Sequence, residues 1–162
     1  MTIAIIKKKS YIVTNKSPKF KSMFTQIVSH IHWLHIVVAA VAYYIIGAIW
    51  YSPLLFSKTW VKYSNDKIHH PDAKKDLIVL LLTSVVLMAV MVTGIEIVAK
   101  SIVVLNWVHG LKLGLFIGVA FSASSVSIAY LHQKKPFQLF LIDCGYLIIG
   151  AAVAGAILGY LH

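Results

Sequence analysis

Asp143 is the residue in this chain best placed to do chemistry. It interrupts an otherwise apolar run, residues 137–161, about two turns in, directly before Cys144, Gly145 and Tyr146. A carboxyl group in such surroundings must find polar partners, water or a proton, because a bare charge in hydrocarbon is strongly disfavoured. Side chains able to serve it come from two other apolar runs that end near the same level. The first run offers Trp50, Tyr51 and Ser52, and the third offers Ser122, Ser125, Tyr130 and His132. Together with Asp143 and Tyr146 these form a candidate polar pocket for a solute, a proton or a lipid headgroup. The competing reading makes the same groups a satisfied structural hydrogen-bond cluster, with Trp50, Tyr51 and Tyr130 serving as an interfacial aromatic belt.

Other reactive residue types support less. Glu96 and Lys112 fall near the opposite ends of their runs from Asp143, where they pair with each other or snorkel to the surface. His32 and His35 are three apart and share a helix face, with His30 close by, but no acidic or thiol ligand accompanies them. His69 and His70 are adjacent, with Asp72 nearby. Neither group has the ligand set of a metal site, and solvated or interfacial histidine is the default. The single cysteine, Cys144, rules out an internal disulfide and a cysteine zinc site. No nucleophile elbow, phosphate-binding glycine loop or pair of catalytic carboxylates is present, so no cofactor is implied and an enzyme is the least favoured class.

The elements that position these residues are four long apolar runs at approximately 33–51, 77–99, 111–131 and 137–161. Each reaches or approaches the roughly 20 residues that an α-helix needs to cross about 30 Å of hydrocarbon. With 59% hydrophobic and 12% charged residues, the 162-residue chain lies far from the balance of a soluble domain. The expected fold is all-α, an integral membrane bundle of four transmembrane helices spanning 33–162. No connection is long enough for a separate aqueous core.

Residues 1–32 are set apart as a basic tail, carrying Lys7, Lys8, Lys9, Lys16, Lys19 and Lys21 without the apolar core of a signal peptide. Met23 is an alternative start. The net charge of +10 comes entirely from lysine among the basic residues, and the lysines flank the apolar runs. That arrangement suits anionic lipid headgroups rather than nucleic acid, which calls for a basic face interleaved with stacking aromatics. Without arginine, bidentate recognition of phosphate is unavailable. Leaving the tail aside, Lys58, Lys62, Lys67, Lys74, Lys75, Lys134 and Lys135 oppose Lys100 and Lys112, which puts both termini outside by the positive-inside rule.

The connection between the first two helices carries its own pattern. Phe56, Trp60 and Tyr63 recur on one helical face, with Lys58 and Lys62 opposite. This predicts a short interfacial helix over 54–63, rings toward the membrane and ammonium groups toward water. Pro53 ends the first helix and His70-Pro71-Asp72 precedes the second. On the third run Gly110, Gly114 and Gly118 recur every fourth residue, and Ser122, Ser125 and Ala129 prolong the stripe. On the fourth, Gly145, Ala152, Gly155 and Gly159 form one small face and Asp143, Gly150 and Ala154 another. Small faces let helices approach closely in lipid. The short connection 132–136 makes the last two helices antiparallel neighbours. The second small face is left for the first helix, the second helix or another copy of the chain in a homo-oligomer.

The segment Gly47-Ala48-Ile49-Trp50-Tyr51-Ser52-Pro53-Leu54-Leu55-Phe56-Ser57-Lys58-Thr59-Trp60, with Asp143-Cys144-Gly145-Tyr146 and Gly155-Ala156-Ile157-Leu158-Gly159, resembles a family of small bacterial four-helix membrane proteins of unknown function. The resemblance runs from about Trp33 to the C-terminus. Family members more often carry Gly at the position of Ser57 and Asn-Ala-Gly-Tyr where this chain has Asp143-Cys144-Gly145-Tyr146. They also begin near the first helix. The resemblance implies the fold, a bacterial inner membrane location and no reaction. Two function classes follow from the residues: small-solute, proton or lipid-related transport through the Asp143 pocket, and a non-transporting assembly or partner-binding protein using its glycine-rich faces.

Overall fold

The computed structural model describes Thr25, Ser29 and residues 31–64, 73–104 and 106–161. Most of the basic tail, His30 and the His69–His70 pair lie outside the described residues. The fold is all-α: α1 (Trp33–Trp50), a short α2 (Ser57–Ser64), α3 (Ala73–Ser101), α4 (Trp107–His132) and α5 (Phe137–Leu161). Helices α1, α3, α4 and α5 are long and apolar enough to cross a membrane. That is the pattern of a multi-pass membrane protein.

Helix α5 is the centre of the bundle. Half of its span is buried, against 11% in α3, because small residues on two of its faces admit a neighbour on each side. Its most extensive contact is with the first half of α4 and its next with α1, while α3 packs chiefly on α1. The outer face of α3 stays exposed through Leu80, Leu82, Val86, Leu87 and Val90. The core runs along the α1–α5 contact through Ile36, Ala39, Tyr43, Tyr146, Ala151, Ala154 and Leu158, joined by Val92 and Ile95 of α3. Helices α1 and α5 run antiparallel, so α1 begins where α5 ends.

Local chemistry sets the helix ends. The Asn106 side chain accepts from the His109 backbone N–H at 3.0 Å and caps α4. At the other end of α4, Lys134 takes φ 53°, its N–H donates to Leu131 O and the Lys135 N–H donates to Tyr130 O. This pair of bonds is the Schellman closure, and Pro136 follows it. Helix α3 ends in a related way: Val103 has φ 55° and the Val104 N–H donates to Ala99 O at 3.0 Å. Between α1 and α2 the chain doubles back at Pro53. Trp50 O accepts from Phe56 N–H, and Ser52 O from Leu55 and Ser57 N–H.

Helix α4 is not a uniform α-helix. Gly118–Ala123 winds as a π-helical turn, which inserts about one extra residue into the α ladder. From Gly118 to Tyr130 an unbroken α-helix turns by a net of about 120°; removing one residue's 100° brings the two to about 20° of each other. The stripe expected to continue through Ser122, Ser125 and Ala129 is therefore displaced. Ser125 and Ala129 are exposed, Ala123 is buried, and Ser127 and Tyr130 are half-buried.

Candidate functional site

The carboxyl of Asp143 sits where α1 turns into α2 and where α4 meets the start of α5. Its Oδ1 accepts from the Tyr51 hydroxyl at 2.6 Å and from the Trp60 indole N–H at 3.1 Å. Its Oδ2 bonds the Tyr130 hydroxyl. The three partners come from three different elements, namely the C-terminal cap of α1, the middle of α2 and the end of α4. An indole nitrogen can only donate, so Oδ1 is an acceptor. The Tyr51 hydroxyl donates to the same oxygen.

A layer of aromatic rings supports this carboxyl. The Trp50 indole N–H donates to Ile142 O at 3.0 Å, and the Trp50 ring lies against Phe56 with centroids 4.8 Å apart. A Cβ on Gly145 would come within 3.1 Å of the Trp50 ring, so this glycine lets α1 sit close beside Asp143. The Tyr146 ring packs on Tyr51 at 5.5 Å and on Tyr43 at 5.4 Å. Its hydroxyl is buried without a hydrogen-bond partner among the described residues. Tyr43, buried one layer deeper, donates to Leu147 O at 3.3 Å and also lies 3.5 Å from Met91 Sδ.

The structure brings together Asp143, Tyr51 and Tyr130 by direct bonds, Tyr146 by its ring contact with Tyr51, and Trp50 through its bond to Ile142 O. It does not bring in the remaining candidates. Ser52 Oγ donates to Ile49 O at 2.7 Å and accepts from Leu54 N–H, closing the turn of its own chain. Ser125 Oγ donates to Phe121 O of α4, on the exposed side that the π-helical turn assigns it. Ser122 lies half-buried inside that turn and His132 is exposed at the end of α4, neither bonded to Asp143. Trp60 is the partner that sequence reasoning missed, because its aromatic face was expected to meet lipid. Its signal was an indole donor only ten residues beyond Trp50 on a chain forced back by Pro53.

The small-residue faces are filled within the chain. A Cβ on Gly110 would run into Gly155 O, one on Gly114 into Ala151 O, and one on Gly155 into Gly110 O. At Gly118 it would lie 2.9 Å from the Ile148 Cα, and at Gly159 2.5 Å from Asn106 O. The other small face of α5 takes α1, with Tyr43 seated on Gly150.

Near the opposite end, Glu96 pairs with Lys100 of its own helix at 3.6 Å, not with Lys112. The i,i+4 spacing on α3 supplies a partner without any need to cross to α4. The His32 and His35 rings lie tilted against each other at 4.9 Å, and among the described residues no three His, Cys, Asp or Glu side chains converge as a metal site.

No curated protein and no solved structure matches the chain. A family model described as a protein of unknown function, DUF1761, matches residues 34–159, and the chain belongs to that family.

Proposed function

We propose that this protein moves a small solute, a proton or a lipid-related species across or within a cell membrane, using Asp143 as its responsive group. The bacterial inner membrane is the location this reading adopts. The observation that supports it is the wiring of one carboxyl to three elements. Tyr51, Trp60 and Tyr130 each give Asp143 a donor, so a proton or cation arriving there competes with the bonds that hold α2 and α4 to α5. Charge at one atom pair thereby bears on the attachment of two helices. The glycine-face alternative has less support, because those faces are occupied by α1, α4 and α5 themselves.

The test is flux of protons, small cations and small neutral solutes, and flipping of a labelled phospholipid, in proteoliposomes of purified protein, wild type against Asp143→Asn. The substitution keeps the side chain's size and much of its hydrogen bonding. Loss of flux with an unchanged melting temperature is the expected result. Flux that persists in Asp143→Asn, or no flux in the wild type, overturns the reading and leaves the cluster as a structural lock.

A further inference from the structure

At the end of the bundle away from Asp143, the turn between α3 and α4 encloses an open groove of about 460 Å³. Ile102 and Val103 of the turn line it together with His109, Lys112, Leu113 and Phe116 of α4. His109, Lys112 and Phe116 follow one another at i, i+3 and i+7, so they line a single face of α4. Along about 10 Å of helix that face passes from a basic end to a wholly apolar one. Among the described residues no carboxylate lies within ion-pair distance of Lys112.

We propose that this groove is a binding site for an anionic phospholipid, with the phosphate at Lys112 and His109 and the start of one acyl chain lying along Leu113 and Phe116. The charge is complementary and the polarity runs in the right order. Lys112 lies in the second turn of α4, and Leu113 and Phe116 carry the apolar lining onward along the helix, as chain follows headgroup in a lipid. Val103, at φ 55°, lines the groove with an exposed side chain. A free inorganic phosphate would leave that apolar lining bare. The site is separate from the Asp143 cluster and does not depend on its proposed function.

The experiment measures lipid binding to the purified full chain after delipidation, using nanodiscs or mixed micelles of dioleoylphosphatidylglycerol or dioleoylphosphatidylcholine and counting retained lipid by native mass spectrometry. Preferential retention of phosphatidylglycerol by the wild type is expected, with about fivefold weaker binding in Lys112→Gln, since one lysine at a membrane surface contributes on that scale. Lys134→Gln, at the opposite end, should bind like wild type. Phe116→Ala should lower retention of the dioleoyl lipid. Equal retention of the two lipids, or of phosphatidylglycerol by wild type and Lys112→Gln, overturns the proposal. So does full competition by glycerol phosphate alone, which would mark a free-phosphate site. A shift in subunit stoichiometry on Lys112→Gln would mark a second copy of the chain as the occupant and overturn it as well.

Discussion

The two contacts that α5 makes along its length are built by opposite means. Toward the first half of α4 it presents backbone: Gly110, Gly114 and Gly118 meet Ala151, Gly155 and their neighbours with almost no side chain between them. Toward the α1–α2 turn it presents Asp143 and Tyr146 to Trp50, Tyr51 and Trp60, a layer made wholly of rings and polar atoms. The first contact gains dispersion from close approach and has no group that titrates or binds. The second is held by a few directional bonds to one carboxyl, so a single atom can change it. Rigidity and responsiveness are thus divided between two faces of the same helix.

The seam should be the more easily broken. Gly114→Leu places a side chain against the Ala151 carbonyl, where no rotamer can escape, and is expected to cost about 3 kcal/mol, the upper part of the range for overpacked sites. A Cβ on Gly94, on α3, would meet nothing within 4 Å, so Gly94→Leu serves as the control. Thermal unfolding in detergent should separate the two clearly. A Gly114→Leu variant as stable as Gly94→Leu would mean that α4 and α5 do not approach as closely as described.

At the polar end a smaller loss is expected from a single bond. Trp60→Phe keeps a ring on α2 but removes the donor to Asp143 Oδ1. Tyr51 still serves that oxygen, and the half-buried site admits water or headgroups, so about 1 kcal/mol is the expected cost. The sharper measurement is local. Amide hydrogen exchange across 57–64 should speed up in Trp60→Phe while 110–118 keeps wild-type protection. Equal acceleration in both segments would show that the two contacts are not independent.

The long apolar helices and the short helix after the first, expected over 54–63 and found at Ser57–Ser64, are legible in the sequence because hydropathy and periodicity act locally. Asp143 stands out for the same reason, as a charge in an apolar run. Depth along the helices suffices to put Tyr51 and Tyr130 at its level. It does not suffice to tell which side chain at that level faces it. Ser125 and Tyr130 share a level within about 8 Å of helix rise, yet only Tyr130 reaches the carboxyl, because the π-helical turn rotates everything after Gly118. Trp60 escapes for a second reason: its place follows from backbone bonds across Pro53, Trp50 O to Phe56 N–H among them, which no periodicity encodes. The glycine stripes announce close packing but not the partner. A Gly at every fourth position serves a neighbouring helix of this chain and one of another copy equally well.

The smallest expected effect tests that rotation directly. Ala120 lies in the π-helical turn and is exposed, so its deletion removes one residue from the ladder without removing a contact. The turn then closes as ordinary α-helix, and Gly118 and Tyr130 stay on the same side, since eleven steps of 100° leave them about 20° apart. Melting temperature and the slow exchange of 57–64 should both remain close to wild type. Inserting an alanine after Ala120 is the opposite perturbation. It turns Tyr130 away by roughly another 100° and should release the bond to Asp143, with exchange in 57–64 rising as it does in Trp60→Phe. If deletion is as damaging as insertion, the extra residue is needed for its own geometry, and the turn belongs with the responsive end of the molecule instead of merely adjusting the register between the two contacts.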